Sequence, residues 1–181
     1  WTVTDGSGNT ATATQTVTVT DETNPTITAP DAISVSINDG CTATEVTLGD
    51  STTSDNCSVA STTNDAPDVF DLGETTVTWT VTDGSGNTAT ATQTVTVTDD
   101  TDPTITAPSD ISICNSQDVD LGTPETGDNC SVASTINDAP DAYNIGETTV
   151  TWTVTDGSGN TATATQTVTV TDETNPTITA P

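Results

Sequence analysis

From Thr75 to Thr82 the chain alternates with period two. Val77, Trp79 and Val81 fall on one face and threonines on the other. After Asp83-Gly84-Ser85-Gly86-Asn87 the alternation resumes: Ala89, Ala91, Val95 and Val97 share a face, while every even position from Thr88 to Thr98 is threonine. Strict alternation with one apolar face predicts strands that pack on one side and meet water on the other. The intervening residues tolerate positive φ and predict a tight turn, making the segment a β-hairpin. Upstream, Pro25–Pro30 reads as an extended segment whose two prolines suit an edge strand. Ile33, Val35 and Ile37 share a face of a strand over Ala32–Ile37, and a turn follows at Asp39-Gly40. Short strands at Thr44–Leu48 and Val59–Thr63 flank the Ser54-Asp55-Asn56-Cys57 loop, and Asn64–Asp68 and Asp71–Glu74 read as loops. About seven short strands and no helical period predict a β-sandwich.

The pattern repeats. Residues 1–30 recur letter for letter at 152–181, and a third copy at 79–108 differs only at Asp100 and Asp102, where the others have Glu and Asn. The copies begin at Trp1, Trp79 and Trp152, so the spacings are 78 and 73 residues. A period of this length is a whole small domain rather than a solenoid turn. The expected organisation is the C-terminal part of one repeat at 1–21, complete sandwiches at 24–98 and 102–171, and the first strand of a further repeat at 175–181. The fold class is therefore all-β, with tandem β-sandwiches arranged end to end in an array expected to continue. Ile111, Ile113, Leu121, Val132, Tyr143, Ile145, Val150, Trp152 and Val154 are the expected core of the second complete repeat.

Composition narrows the function. The chain has no Lys, Arg or His against 27 Asp and Glu, a net charge of −27. Binding to phosphates and to anionic lipid depends on basic side chains, so nucleic acid and anionic membrane are poor partners, and neither nucleic-acid binding nor membrane insertion is expected. No apolar run approaches the roughly 20 residues of a membrane span. Without His, Lys or Arg, acid–base chemistry would fall to carboxylates alone, and the same acids recur at the same turns as architecture requires. The reading is a non-enzyme. Self-repulsion at this charge makes divalent cations the expected partners. Cys41 and Cys57, then Cys114 and Cys130, each stand 16 residues apart at corresponding places. One disulfide per repeat is the economical reading and implies an oxidising, extracellular setting. The alternatives are buried free thiols or bonds between chains. Such a bridge would contribute roughly 3 kcal/mol to a small core.

The opening PTITAP, the DNCS segment after a first cysteine, the late (I/L)GETTVTWTVTDGSGN hairpin and the closing TVTVTD together resemble the hyalin repeat (HYR) family. The resemblance covers essentially the whole chain. It implies an immunoglobulin-like sandwich with roles in adhesion or surface architecture, in an array of the bacterial type that belongs to large secreted or cell-surface proteins. The chain departs from the family in lacking basic residues altogether, so functions needing Lys or Arg contacts do not carry over.

Acidic residues cluster where repeats meet. The junctions read Asp21-Glu22-Thr23-Asn24-Pro25, Asp99-Asp100-Thr101-Asp102-Pro103 and Asp172-Glu173-Thr174-Asn175-Pro176. Hard cations such as Ca²⁺ take six to eight oxygens from Asp, Glu, Asn and backbone carbonyls. In a sandwich, the last hairpin turn and the loop between the second and third strands lie at the N-terminal pole. Residues 21–25 should then face Asp55, Asn56, Asp83 and Asn87, and residues 99–103 should face Asp128, Asn129, Asp156 and Asn160. The expectation is one or more Ca²⁺ at each junction. The competing reading is that Asp, Asn and Gly are turn formers that keep the surface soluble.

The Thr-x-Thr ladders read first as β-propensity on a wet face, and next as sites for O-glycosylation. Asn56-Cys57-Ser58 and Asn129-Cys130-Ser131 match the N-glycosylation sequon. The functional reading is a structural segment of a long extracellular filament, stalk or matrix fibre. Its partners would be further copies of the repeat, divalent cations and glycans on Thr. The alternative is the repeat region of an adhesin that binds a glycan or surface ligand. Near-identity of the blocks favours the spacer, because copying lengthens a chain whereas recognition sites diversify.

Overall fold

The computed structural model describes residues 1–114 and 119–179, and among them there is no helix. In chain order the strands are β1 (Thr2–Thr4), β2 (Thr10–Thr12), β3 (Thr26–Thr28), β4 (Ile33–Ser36), β5 (Thr42–Thr44), β6 (Thr52–Ser54), β7 (Val59–Asn64), β8 (Val69–Asp71), β9 (Gly73–Asp83) and β10 (Thr88–Thr98). The second repeat supplies β11 (Thr104–Thr106), β12 (Ile111–Ile113), β13 (Glu125–Gly127), β14 (Val132–Asn137), β15 (Gly146–Asp156) and β16 (Thr161–Val170). The fold is all-β, with tandem immunoglobulin-like sandwiches. Their larger sheets are ordered β4-β10-β9-β7 and β12-β16-β15-β14.

Contacts divide the chain into two compact units that cut across the sequence repeats. The first comprises Trp1–Asp31, Gly49–Ala66 and Thr76–Gln93; the second comprises Ala32–Leu48, Pro67–Thr75 and Thr94–Pro181. The acidic link at residues 21–25 falls in the first unit, and those at 99–103 and 172–176 fall in the second.

In the first unit β3 runs antiparallel to β6, with Thr26 opposite Ser54, and β7 runs antiparallel to β9. Val77 and Val81 are fully buried and Trp79 nearly so, each valine contributing roughly 1.5–3 kcal/mol relative to exposure. The inward face of β10 also carries Gln93, which alternation places inward but its polarity does not mark as core. Its Oε1 accepts the Trp79 indole N–H at 3.1 Å and its Nε2 donates to the Asp31 carbonyl at 2.8 Å. A buried indole needs an acceptor, and the glutamine supplies it.

The second unit repeats the device: Trp152 Nε1 donates to Gln166 Oε1 at 3.2 Å, and Gln166 Nε2 donates to the carbonyls of Ser109 and Leu121. Tyr143, Val150, Trp152, Val168 and Val170 form the core, with Ile105, Ile111, Ile113 and Leu121 packed against them. β4 pairs parallel with β10 (Ile33 opposite Val95) and β12 parallel with β16 (Ile111 opposite Val168). The opening of a repeat is therefore two strands, at the places expected from the segments Pro25–Pro30 and Ala32–Ile37. After Ala29-Pro30, proline ends the pairing of β3, and the chain goes on to accompany the last strand.

Several expectations need correction. Val132 and Ile145 are 36% and 71% exposed rather than core. Val132 begins an edge strand whose register shifts between Val132 and Ser134, and Ile145 stands at the bend into β15. The segment 175–179 is exposed and forms no strand, and Ala180 and Pro181 of the expected first strand lie outside the described residues. Most consequentially, Cys41 is bonded to Cys130, across 89 residues and from one repeat to the next, with a Cα–Cα distance of 4.6 Å. Cys57 and Cys114 are exposed free thiols. The expected in-repeat pairs are thus replaced. Cys41 follows Gly40 at a turn that lies against the Asp128–Cys130 loop, where a Cβ on Gly40 would stand 4.0 Å from the Asn129 carbonyl oxygen. Cys57 belongs to the other compact unit.

Candidate metal centres

Three local structures, each dictated by its own few residues, build each acidic cluster. The first is the hairpin turn. Asp83 Oδ1 accepts the backbone N–H groups of Ser85 and Asn87 at 2.9 and 2.8 Å, and Oδ2 accepts the Asn87 amide at 2.7 Å. Asp156 does the same for Ser158, Gly159 and Asn160 at 2.6–2.9 Å. Gly86 and Gly159 adopt φ of 94° and 96°, which closes the turn. Asp5 organises an equivalent turn with Ser7 and Asn9, so this structure is local and owes nothing to its surroundings.

The second is the DNC loop. Asp55 Oδ2 accepts the N–H groups of Cys57 and Ser58 at 2.9 and 3.0 Å, and Asp128 Oδ2 those of Cys130 and Ser131, both at 2.8 Å. One carboxylate oxygen is spent on shaping the loop, and the other faces the cluster. Glycine admits this loop to the hairpin turn: the N–H of Gly84 reaches the Ser58 carbonyl and that of Gly157 the Ser131 carbonyl, both at 3.0 Å. A Cβ at either glycine would stand 2.8 or 2.9 Å from a serine Oγ.

The third is the link. Asp21 Oδ1 accepts the Thr23 N–H at 3.0 Å, and Asp99 Oδ1 the Thr101 N–H at 3.1 Å. Asn87 Nδ2 also donates to the carbonyls of Asp21 and Thr23, and Asn160 Nδ2 to that of Asp99. These asparagines tether the link to the turn.

Together these elements bring one carboxylate oxygen each from Asp21, Asp55 and Asp83 within 4.8 Å of one another, and likewise from Asp99, Asp128 and Asp156. Asp83, Asp99 and Asp156 are buried. Asp21 Oδ2, Asp55 Oδ1 and Asp128 Oδ1 are buried atoms with no hydrogen-bond partner among the described residues. The Thr23 N–H holds the Asp21 carboxyl below its ordinary pKa against the opposing effect of burial. Burial pushes Asp83 and Asp156 up, but the amides of Asn87 and Asn160 with the turn N–H groups outweigh it and hold both below the usual value. Each cluster is a focus of uncompensated negative charge in a chain with no basic side chain. The Asp21 carboxylate also pushes the neighbouring Cys57 thiol up.

The remaining candidates fall elsewhere. Asn56 and Asn129 point their amide groups at the link carboxylates, at 3.3 and 3.5 Å, as donors. Glu22, Asn24 and Asp102 are exposed and outside the trios, as are Asp172 and Glu173. Asp100 Oδ2 accepts the hydroxyls of Ser36 and Thr98.

A profile of the HYR domain matches residues 20–97 and again residues 98–170. Comparison with curated protein sequences yields no match. Among solved structures the chain is similar to the extracellular domain of protocadherin GammaB4 (15% identity, TM-score 0.40, covering 84% of this chain and 33% of that one). It is also similar to protocadherin Gamma B7 extracellular cadherin domains 1–4 (10% identity, TM-score 0.37, covering 83% and 51%). The chain thus spans between a third and about half the length of those molecules.

Proposed function

The chain belongs to the HYR domain family, and on that premise we propose that it is a structural segment of a long extracellular repeat polymer whose repeat junctions are stiffened by Ca²⁺. The first ion would be held by Asp21, Asp55 and Asp83, and the second by Asp99, Asp128 and Asp156. The observation that carries this reading is the set of buried, unpartnered carboxylate oxygens of Asp21, Asp55 and Asp128. Burying an ionised carboxylate without a partner is costly. A hard cation that takes oxygen ligands is the chemistry these donors fit. When bound, the ion supplies the positive charge that the sequence lacks. The protein's own contribution is orientation: backbone N–H groups fix one oxygen of Asp55 and Asp128, and Asn87 and Asn160 hold link to turn. An ion in each trio ties the segment between repeats to the loop and hairpin of the repeat that follows.

HYR repeats are adhesion and structural domains rather than catalysts. Among the described residues no helix is long and apolar enough to cross a membrane. The exposed threonines Thr88, Thr90 and Thr92 of β10 would be open to O-glycosylation. The partners on this reading are further copies of the repeat and divalent cations, outside the cell or at its surface.

Isothermal titration of the chelator-treated chain with Ca²⁺ tests the proposal. Binding at the two clusters is expected, with a Kd on the order of 10⁻⁴–10⁻³ M as in extracellular modules. Asp55→Asn should abolish the first site and Asp128→Asn the second. A flat titration with unchanged thermal stability would overturn it.

A further inference from the structure

The disulfide and the two free thiols follow one rule. Counting back from the DNC loops, Cys114 stands where Cys41 does, since each precedes its loop cysteine by 16 residues. Flanking contacts bracket the length difference between the repeats: Gly49 lies against Pro30 and Gly122 against Pro108, each with a prospective Cβ contact of 3.5 Å. The second repeat simply lacks the five residues that correspond to Ser36–Gly40, so Cys114 directly follows β12. At the other end, Cys57 sits in a loop shaped as that of the bonded Cys130 is, with the Asp55 and Asp128 carboxylates accepting the same two N–H groups. Both Cys57 and Cys114 are exposed.

We propose that Cys114 and Cys57 are the two halves of an inter-repeat disulfide of the Cys41–Cys130 kind. Cys114 pairs with the DNC-loop cysteine of the repeat that follows, and Cys57 with the cysteine ahead of the loop in the repeat that precedes. Every repeat then gives one cysteine forward and one backward, and the array is stapled at each junction rather than within each domain. This inference rests on the repeat-array reading but not on Ca²⁺. Formation of the bond is an exchange with a disulfide oxidant such as oxidised glutathione. The Sγ–Sγ bond forms, the glutathione S–S bond breaks, and the two thiol protons pass to two reduced glutathiones.

The identity of residues 1–30 with 152–181 permits a seamless test. Residues 1–151 are placed directly before a full second copy, with Cys57→Ser in the first copy and Cys114→Ser in the second. The chain is then oxidised in a glutathione buffer. Alkylation followed by mass spectrometry should find no free thiol. The peptide map, cut at Asp and Glu because trypsin has no site in this chain, should contain Cys114 joined to the second copy's Cys57 besides the Cys41–Cys130 bonds. Alkylation of both remaining thiols in the folded chain would overturn the proposal. So would recovery of Cys41–Cys57 or Cys114–Cys130 peptides. A Ca²⁺ titration of the same sample reads the cation proposal separately, so one can fail while the other stands.

Discussion

Tyr143 and Phe70 occupy corresponding places in the two repeats and differ by one hydroxyl. Phe70 is buried with no polar atom to satisfy, whereas the Tyr143 hydroxyl is a buried atom without a partner among the described residues. Burial, and then the nearby Asp138 carboxylate, push its phenol up. Removing an unsatisfied buried hydroxyl relieves its desolvation cost. Tyr143→Phe should therefore raise stability by about 1 kcal/mol, read as a higher urea midpoint with unchanged slope; a lower midpoint would show that the hydroxyl is bonded. The two core glutamines are the opposite case. Gln93 and Gln166 are buried and bonded, each 14 residues after the tryptophan it serves. Alternation places them on the inward face, but hydropathy marks them as outward. Only the need of the indole N–H for an acceptor resolves the conflict.

The same thirty residues occur in different settings, which separates local from tertiary causes. The DGSGN turn forms at Asp5, Asp83 and Asp156 alike. The strands flanking it run 11 and 11 residues in β9 and β10 but only three each in β1 and β2. Val3 is 67% exposed and Trp1 85%, against full or near-full burial of Val81 and Trp79. The turn is thus encoded by five residues, and strand length by what the apolar face meets. This is why hairpins, alternation and both acidic loops were legible in the sequence. The parallel pairing of β4 and β12, the exposure of Val132 and Ile145, and the partner of Cys41 were not. Those depend on which segments a distant part of the chain brings alongside. The acidic trios were legible because their aspartates lie in turns whose pole the topology predicts. In the structure the amides of Asn56, Asn87, Asn129 and Asn160 act as donors, a role that composition does not distinguish from that of an oxygen ligand. One consequence concerns the glycine that lets loop meet turn. Gly157→Ala places a Cβ against Ser131 Oγ, which should displace Asp128 from Asp156. Calcium affinity at the second cluster should weaken by about tenfold or more, as for other supporting groups of metal sites, while the first cluster is unaffected. Titration of the variant checks this, and an unchanged second site would refute the assignment of the loop's role.

Across the whole molecule, a disulfide is laid over a β-framework in which parallel strands pair, and this bears on how it answers to pulling. In each complete repeat the second strand, β4 or β12, runs in the same direction as the strand that leaves, β10 or β16. A stretching force at the two ends therefore loads that ladder in shear, and its hydrogen bonds must give way together rather than unzip singly. The lifetime under such force is set by the unfolding rate rather than by equilibrium stability. The Cys41–Cys130 bond adds a limit on extension. It encloses a separation of 89 residues, which at full extension would otherwise release about 300 Å of chain. Single-molecule stretching should show that length missing from the unfolding trace and restored by a reductant. An oxidised trace already reaching the full contour length would count against the bond.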